Sequence, residues 1–161
     1  CSKQFNHNRE DYLKSLFDRS VNLELINRID SLSADSKPLW GSMTSSQMLM
    51  HCTVSFKLAF GEMIPEHNES YLNIGRLVRD RLFDTDVFNK NLATTKEFLV
   101  EDNCKFDDNK ILLTAYVKRF AGAGPEYSDC GKHPYFGQLN MQEWDSLIYK
   151  HLNHHLLQFG V

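Results

Sequence analysis

The chain is predicted to be an all-α four-helix bundle, on three observations. Four long segments repeat apolar residues at helical spacing, and capping or breaking residues bound them. The links between them are short except for one long crossover. At 161 residues, one domain spanning 1–161 is expected, long enough for a single core.

Residues 1–17 are polar, with Tyr12, Leu13, Leu16 and Phe17 interspersed, and are expected to pack as a short segment on the domain. Leu25, Ile26, Ile29 and Leu32 then predict an amphipathic helix over 18–32. Ser33 to Pro38 is a turn cluster, since Pro38 disfavours helix at Lys37, and Leu39-Trp40-Gly41 is an apolar anchor. Thr44-Ser45-Ser46-Gln47 is a capping-box signature opening a helix over about 45–61. Met48, His51, Ser55, Leu58 and Ala59 share one face of that helix. Leu49, Cys52, Phe56 and Phe60 form the adjoining face, with Cys52 expected in the core.

Gly61 to Asn91 is less regular: a loop with a solvated His67, then a short amphipathic helix over 74–83. The arginines of that helix (Arg76, Arg79, Arg81) read as a solvated face. The crossover to Asn103 is expected to be extended at 97–100. Asp107 or Asp108 is the expected cap of a third long helix carrying Ile111, Leu112, Ala115, Tyr116, Arg119 and Phe120. Ala121 to Pro125 stops it. Cys130-x-x-His133 has ligand spacing without a matching second pair, which disfavours a structural zinc there.

The last helix carries the most chemistry. Asn140 and Glu143 form a second capping box, and Gly160 supplies a left-handed terminus. Trp144, Ile148, His151, His155 and Phe159 recur at steps of four, three, four and four, so they share one face. Two imidazoles thus interrupt an apolar stripe. They are either structural, as hydrogen-bonded core histidines or as edge residues of the apolar face that touch solvent, or an i,i+4 pair converging on one metal ion. His154 lies about 100° round the helix from His155 and is expected to flank the stripe. His51 alone reads as structural, and the balance changes if it faces the pair. His133, ahead of the last helix, could reach over the mouth of such a site.

Composition narrows the classes of function. A net charge of −3 and a pI near 6.2 give no general attraction to nucleic acid or anionic membrane, and no apolar run is long enough to span a bilayer. There is no Gly-rich phosphate loop, no G-x-S-x-G and no fixed-period repeat. Cys1, Cys52, Cys104 and Cys130 are widely spaced, so a reducing cytoplasm is the expected compartment. The chain starts Cys1-Ser2, for which trimming is the expected cause. A lipid anchor through Cys1 is the lesser alternative.

Trp40-Gly41-x-Met43-Thr44-x-x-Gln47-Met48-Leu49-x-His51-Cys52 resembles the start of the second helix in the DinB/YfiT-like superfamily, in a bacterial branch labelled a domain of unknown function. So do Arg119-Phe120, His133-Pro134-x-Phe136-Gly137, Glu143-Trp144 and Tyr149-Lys150-His151-Leu152-x-His154-His155-x-x-Gln158-Phe159-Gly160. The likeness runs from about Arg28 to Val161 and departs at Leu157, where relatives commonly carry a basic residue. It implies an up-down-down-up four-helix bundle with a long crossover between the second and third helices. It also implies a divalent metal, Zn²⁺ or Ni²⁺, on His51, His151 and His155, with an open fourth position for water or a thiol. His133 and His154 are then candidates for acid–base or supporting roles. The implied activity is thiol transfer or hydrolase-like chemistry on a small-molecule substrate, possible partners being a low-molecular-weight thiol or a second copy of the chain. The alternative is a non-catalytic metal-binding or dimerising bundle.

Overall fold

A computed structural model describes residues 14–79, 88, 94–101 and 105–161. Expectations for Cys1, Tyr12, Leu13, Arg81 to Phe83 and Cys104 lie outside these residues. The described chain is mainly helical: α1 (Arg19–Ser31), α2 (Ser45–Ala59), α3 (Glu69–Val78), α4 (Phe106–Ala123) and α5 (Met141–Gln158). A two-stranded antiparallel hairpin, β1 (Lys132–His133) with β2 (Gly137–Gln138), precedes α5. None of the described helices is long and apolar enough to cross a membrane.

Asp18 caps α1 by accepting from the Ser20 N–H, and Val21, Leu25, Ile26 and Ile29 turn inward. Buried Asn22 donates to the carbonyls of Leu16 and Val117, so it ties α1 to both the N-terminal segment and α4. Leu16, fully buried, donates its N–H to the Asp145 carboxylate of α5. Both predicted capping boxes form. Thr44 with Gln47 opens α2, and Asn140 with Glu143 opens α5.

α2 is the central element, packed against α4 and α5 and touching β1. Its apolar arc is wide because neighbours cover it on several sides, and Cys52 is buried as expected. At its C-terminal half Phe56 and Phe60 meet Phe120 edge-on, at ring-centroid distances of 5.7 and 6.1 Å, and Phe17 stacks on Phe120 at 5.4 Å.

Four expectations are corrected. The cap of α4 is Lys105, without a side-chain bond, while Asp107 and Asp108 fall in the first turn, where the helix dipole favours them. The buried face of α4 is Asn109, Leu113, Val117 and Phe120, whereas Ile111 is 69% exposed, because α1 and α2 dock one residue round from the face the spacing favoured. Within the run expected to be extended over 97–100, residues 96–98 form a 3-10 turn while Leu99 is extended; among the described residues no strand pairs with them, and Phe98 turns into the core. The helix expected over 74–83 starts earlier, at Glu69, because the Asn68 side chain caps it by accepting from the Tyr71 N–H.

The arginines of α3 also divide. Arg76 is exposed and, among the described residues, bonds Asn73 of its own helix, as a solvated residue would, whereas Arg79 donates to Glu143 and the Phe136 carbonyl. α3 reaches the hairpin through Gly75, where a Cβ would stand 1.7 Å from the Tyr135 carbonyl oxygen. Exposed His67 pairs with Glu69.

Candidate metal centre

His51 sits midway along α2, and His151 and His155 lie one turn apart on α5. Packing of α2 on α5 brings the three imidazoles together. The ring centroids of His51 stand 4.8 Å from His151 and 4.6 Å from His155, and those of the α5 pair are 4.7 Å apart. One ring nitrogen from each falls within 4.8 Å of the others. His51 and His155 are buried and His151 keeps partial exposure.

Each Nδ1 is engaged away from the cluster. That of His51 bonds the Phe98 carbonyl at 2.9 Å, that of His151 the Ser55 hydroxyl at 2.9 Å, and that of His155 the Gln158 side-chain oxygen at 2.7 Å. A carbonyl oxygen only accepts, so His51 carries its hydrogen on Nδ1 and leaves Nε2 with a free lone pair. The same holds for His155, because Gln158 presents its oxygen while its Nε2 donates to the Trp40 carbonyl at 2.7 Å. His151 differs. Its Nε2 stands 2.9 Å from the Nε2 of His51 and donates to that lone pair, so its Nδ1 accepts from Ser55. Rotation of the Ser55 hydroxyl, with the hydrogen moved to Nδ1, would free the third lone pair. Two ligands are therefore preset and the third switches by tautomer.

No family model, curated protein or solved structure matches the chain. What the site can do therefore rests on its own geometry.

Burial pushes His155 down to about 3, and the neighbouring His51 adds to it. Burial likewise lowers His51 and His151, the latter also through the charges of His155, His51 and His154. All three are thus neutral near pH 7, the state in which imidazole binds a metal. Ligand nitrogens about a tetrahedral Zn²⁺ stand roughly 3.3 Å apart for Zn–N of about 2.0–2.1 Å. The observed range, from 2.9 Å to at most 4.8 Å, brackets that value. Among the described residues no Cys, Asp or Glu joins the three. The donor set fits a divalent ion with imidazole-type ligands.

His154 is buried beside the cluster, edge-on to Trp40 at 5.7 Å and to Phe88 at 6.1 Å, and its ring nitrogens are not part of the converging set. His133 also stays outside the set, with Phe98 between it and His151. Its Nδ1 accepts the N–H groups of Tyr135 and Phe136, which closes the hairpin loop, and its ring stacks on Phe136 at 4.8 Å. Reach over the mouth, expected of His133 from its chain position, is thus limited by the bonds that pin it to its own loop.

Sequence reasoning missed the outer partners. Ser55 was legible only as a member of the His51 face, four residues on. Gln158 follows His155 by three, a spacing that places the two side chains side by side. The Phe98 carbonyl left no trace in residue type. Gly41 has φ +79°, and a Cβ there would come within 2.7 Å of the Gln158 amide nitrogen, so glycine is what lets the Trp40 loop close on α5. Partners of this kind orient metal-binding imidazoles and tune their basicity. Gln158→Leu is expected to weaken metal affinity about 10–100-fold with helical circular dichroism retained, measured by competition with a chromophoric chelator. Unchanged affinity would remove Gln158 from the centre.

Proposed function

We propose that this chain is a divalent-metal-binding protein of the DinB/YfiT-like type, with Nε2 of His51, His151 and His155 as ligands and a fourth position open to water or a thiol. One observation carries the reading: all three imidazoles are hydrogen-bonded through Nδ1, and one ring nitrogen of each lies within 4.8 Å of the other two. Up-down-down-up connectivity, with α3 lying in the crossover, belongs to the same proposal.

Zn²⁺ and Ni²⁺ both suit three neutral imidazoles. An ion bound there would supply Lewis acidity towards a water or thiol in the open position. The chain's own contribution is then to hold three neutral nitrogens in place through Phe98, Ser55 and Gln158. The buried ring of Phe98 and half-buried Phe88 pack against His51 and His151 and limit the access of bulk water to them. Thiol transfer or a hydrolase-like reaction on a small molecule follows as the proposed activity.

A second reading has its own observation. The 2.9 Å contact between the Nε2 atoms of His151 and His51 satisfies both rings without an ion, as in a hydrogen-bonded core. Metal content by mass spectrometry on tag-free protein separates the two, with His51→Ala as control. Near-stoichiometric Zn or Ni, falling to background in the variant, is the expected result. A folded protein that takes up neither ion when supplied would leave the hydrogen-bonded core and remove the metal reading.

A further inference from the structure

The contact between the Nε2 atoms of His51 and His151 can run in either direction, because the Ser55 hydroxyl can donate to Nδ1 of His151 or accept from it. Only the Phe98 carbonyl, which cannot donate, decides the direction by holding the hydrogen of His51 on Nδ1 at 2.9 Å. That carbonyl belongs to a crossover and not to a long helix, so its position depends on what ties the 3-10 turn Lys96–Phe98 to α2.

The turn is closed by its own bonds, from the Phe98 N–H to Thr95 and from the Leu99 N–H to Lys96, at 3.1 Å each. Those bonds shape it without fixing it on α2. Two side chains do that. Gln47, one turn before His51 on α2, donates to the Val100 carbonyl at 3.4 Å, while its Oε1 completes the capping box. Glu97, inside the turn, accepts the Glu66 N–H through Oε1 at 3.1 Å. The chain that leads from α2 to Glu66 is itself bonded back to the helix, Gly61 to the Leu58 carbonyl and both Glu62 and Met63 to that of Lys57. Lys96 pairs with the Glu66 carboxylate across the same junction. The turn is thus tied near both ends of α2, and between the ties the Phe98 ring packs on His51 at 5.3 Å and on His151 at 5.5 Å.

Glu97 is an expensive residue in this place. Its Oε2 is buried without a hydrogen bond, which is unfavourable for a carboxylate, so solubility does not account for it. The bond from Oε1 does, since a charged acceptor holds an N–H roughly twice as strongly as a neutral one. We propose that Glu97 is a positioning residue for the histidine cluster: it fixes the turn through the Glu66 N–H, the turn presents the Phe98 carbonyl, and the carbonyl selects the tautomer of His51. The consequence for an ion rests on the proposed metal reading, whereas the consequence for the tautomer does not.

Long-range ¹H–¹⁵N spectra of metal-free protein read which nitrogen of each imidazole carries hydrogen. In the wild type and in Glu97→Gln, which keeps an oxygen for the Glu66 N–H, His51 is expected to carry it on Nδ1. In Glu97→Ala the two nitrogens of His51 should move towards averaged shifts, with His151 following, while His155 stays unchanged under Gln158. Glu66→Pro, in an exposed loop, removes the N–H from the other side. It should give the same averaging, and it decides the matter if the alanine variant does not fold. An unchanged His51 in either folded variant, averaging in Glu97→Gln, or equal drift of His155 overturns the positioning role.

A competition titration with zinc is the second arm. Affinity is expected to fall about tenfold in Glu97→Ala, the lower end for outer partners of metal-binding histidines, and to hold in Glu97→Gln. Averaged His51 shifts with unchanged affinity overturn the consequence for the ion and leave the tautomer role standing. Wild-type protein that takes up no zinc removes the metal reading, and the metal-free spectra still decide the role of Glu97.

Discussion

Metal-free protein will lose about 4 kcal/mol of stability between pH 7 and pH 5 through two histidines alone. His133 and His155 are held at about 3 in the folded chain against an ordinary value of 6.5, in both cases chiefly by burial. Their folded forms bind protons less readily than the unfolded chain. The stabilisation is therefore complete above about pH 6.5 and declines as pH falls towards the folded values, at roughly 1.4 kcal/mol per pH unit for each group. His51 and His151, also depressed, act in the same direction. Asp145 opposes them at lower pH, because burial raises its carboxyl and the folded form then gains from protonation. Small domains commonly hold about 5–15 kcal/mol, so urea midpoints of chelator-treated protein should fall steeply below pH 6.5. A midpoint independent of pH down to 5 would contradict the buried, neutral assignment. Metal-loaded protein should resist acid further, since ligand binding to the native state alone adds stability.

Trp144→Ala is expected to destabilise the fold by about 3–5 kcal/mol. The indole is fully buried on the second turn of α5, donates its N–H to the Gly131 carbonyl at 3.3 Å and meets the His133 ring at 5.6 Å. Removing it opens a cavity and leaves that carbonyl without its indole donor. It also loosens the hairpin that leans on α5. Trp144→Phe separates these effects: much of the packing returns while the hydrogen bond does not, so a loss of about 1–2 kcal/mol is expected. Chemical denaturation reads both variants. Losses below 1 kcal/mol for the alanine variant would mean that the hairpin and α5 pack independently of this side chain.

Local signals in the sequence carried far where the cause was local. Thr44 with Gln47 and Asn140 with Glu143 specify helix starts through bonds spanning three residues, and both form. Helix α3 shows the limit. Its apolar residues Ile74 and Leu77 are exposed, while the position that meets the hairpin is Gly75, because a close backbone approach selects the smallest residue. In α4 the spacing of apolar residues indicated a face, but docking of α1 and α2 chose Leu113 and Val117 over Ile111. The burial of Glu97 was likewise invisible, since an acidic residue in a crossover is ordinarily solvated, and only the tertiary structure shows its Oε2 buried without a hydrogen bond.

The sequence by itself determined that His151 and His155 share a face, because a helix of 3.6 residues per turn brings positions four apart into line whatever surrounds it. It also determined that the stripe they interrupt is apolar. Only the tertiary structure decided that His51, a hundred residues earlier, meets them, for that depends on the register in which α2 packs on α5. The tertiary structure likewise decided which nitrogen of each ring faces the common point. For His155 that choice belongs to Gln158 on the same helix, but for His51 and His151 it belongs to the Phe98 carbonyl and the Ser55 hydroxyl, partners 47 and 96 residues away in the chain that meet these rings only once the elements have docked.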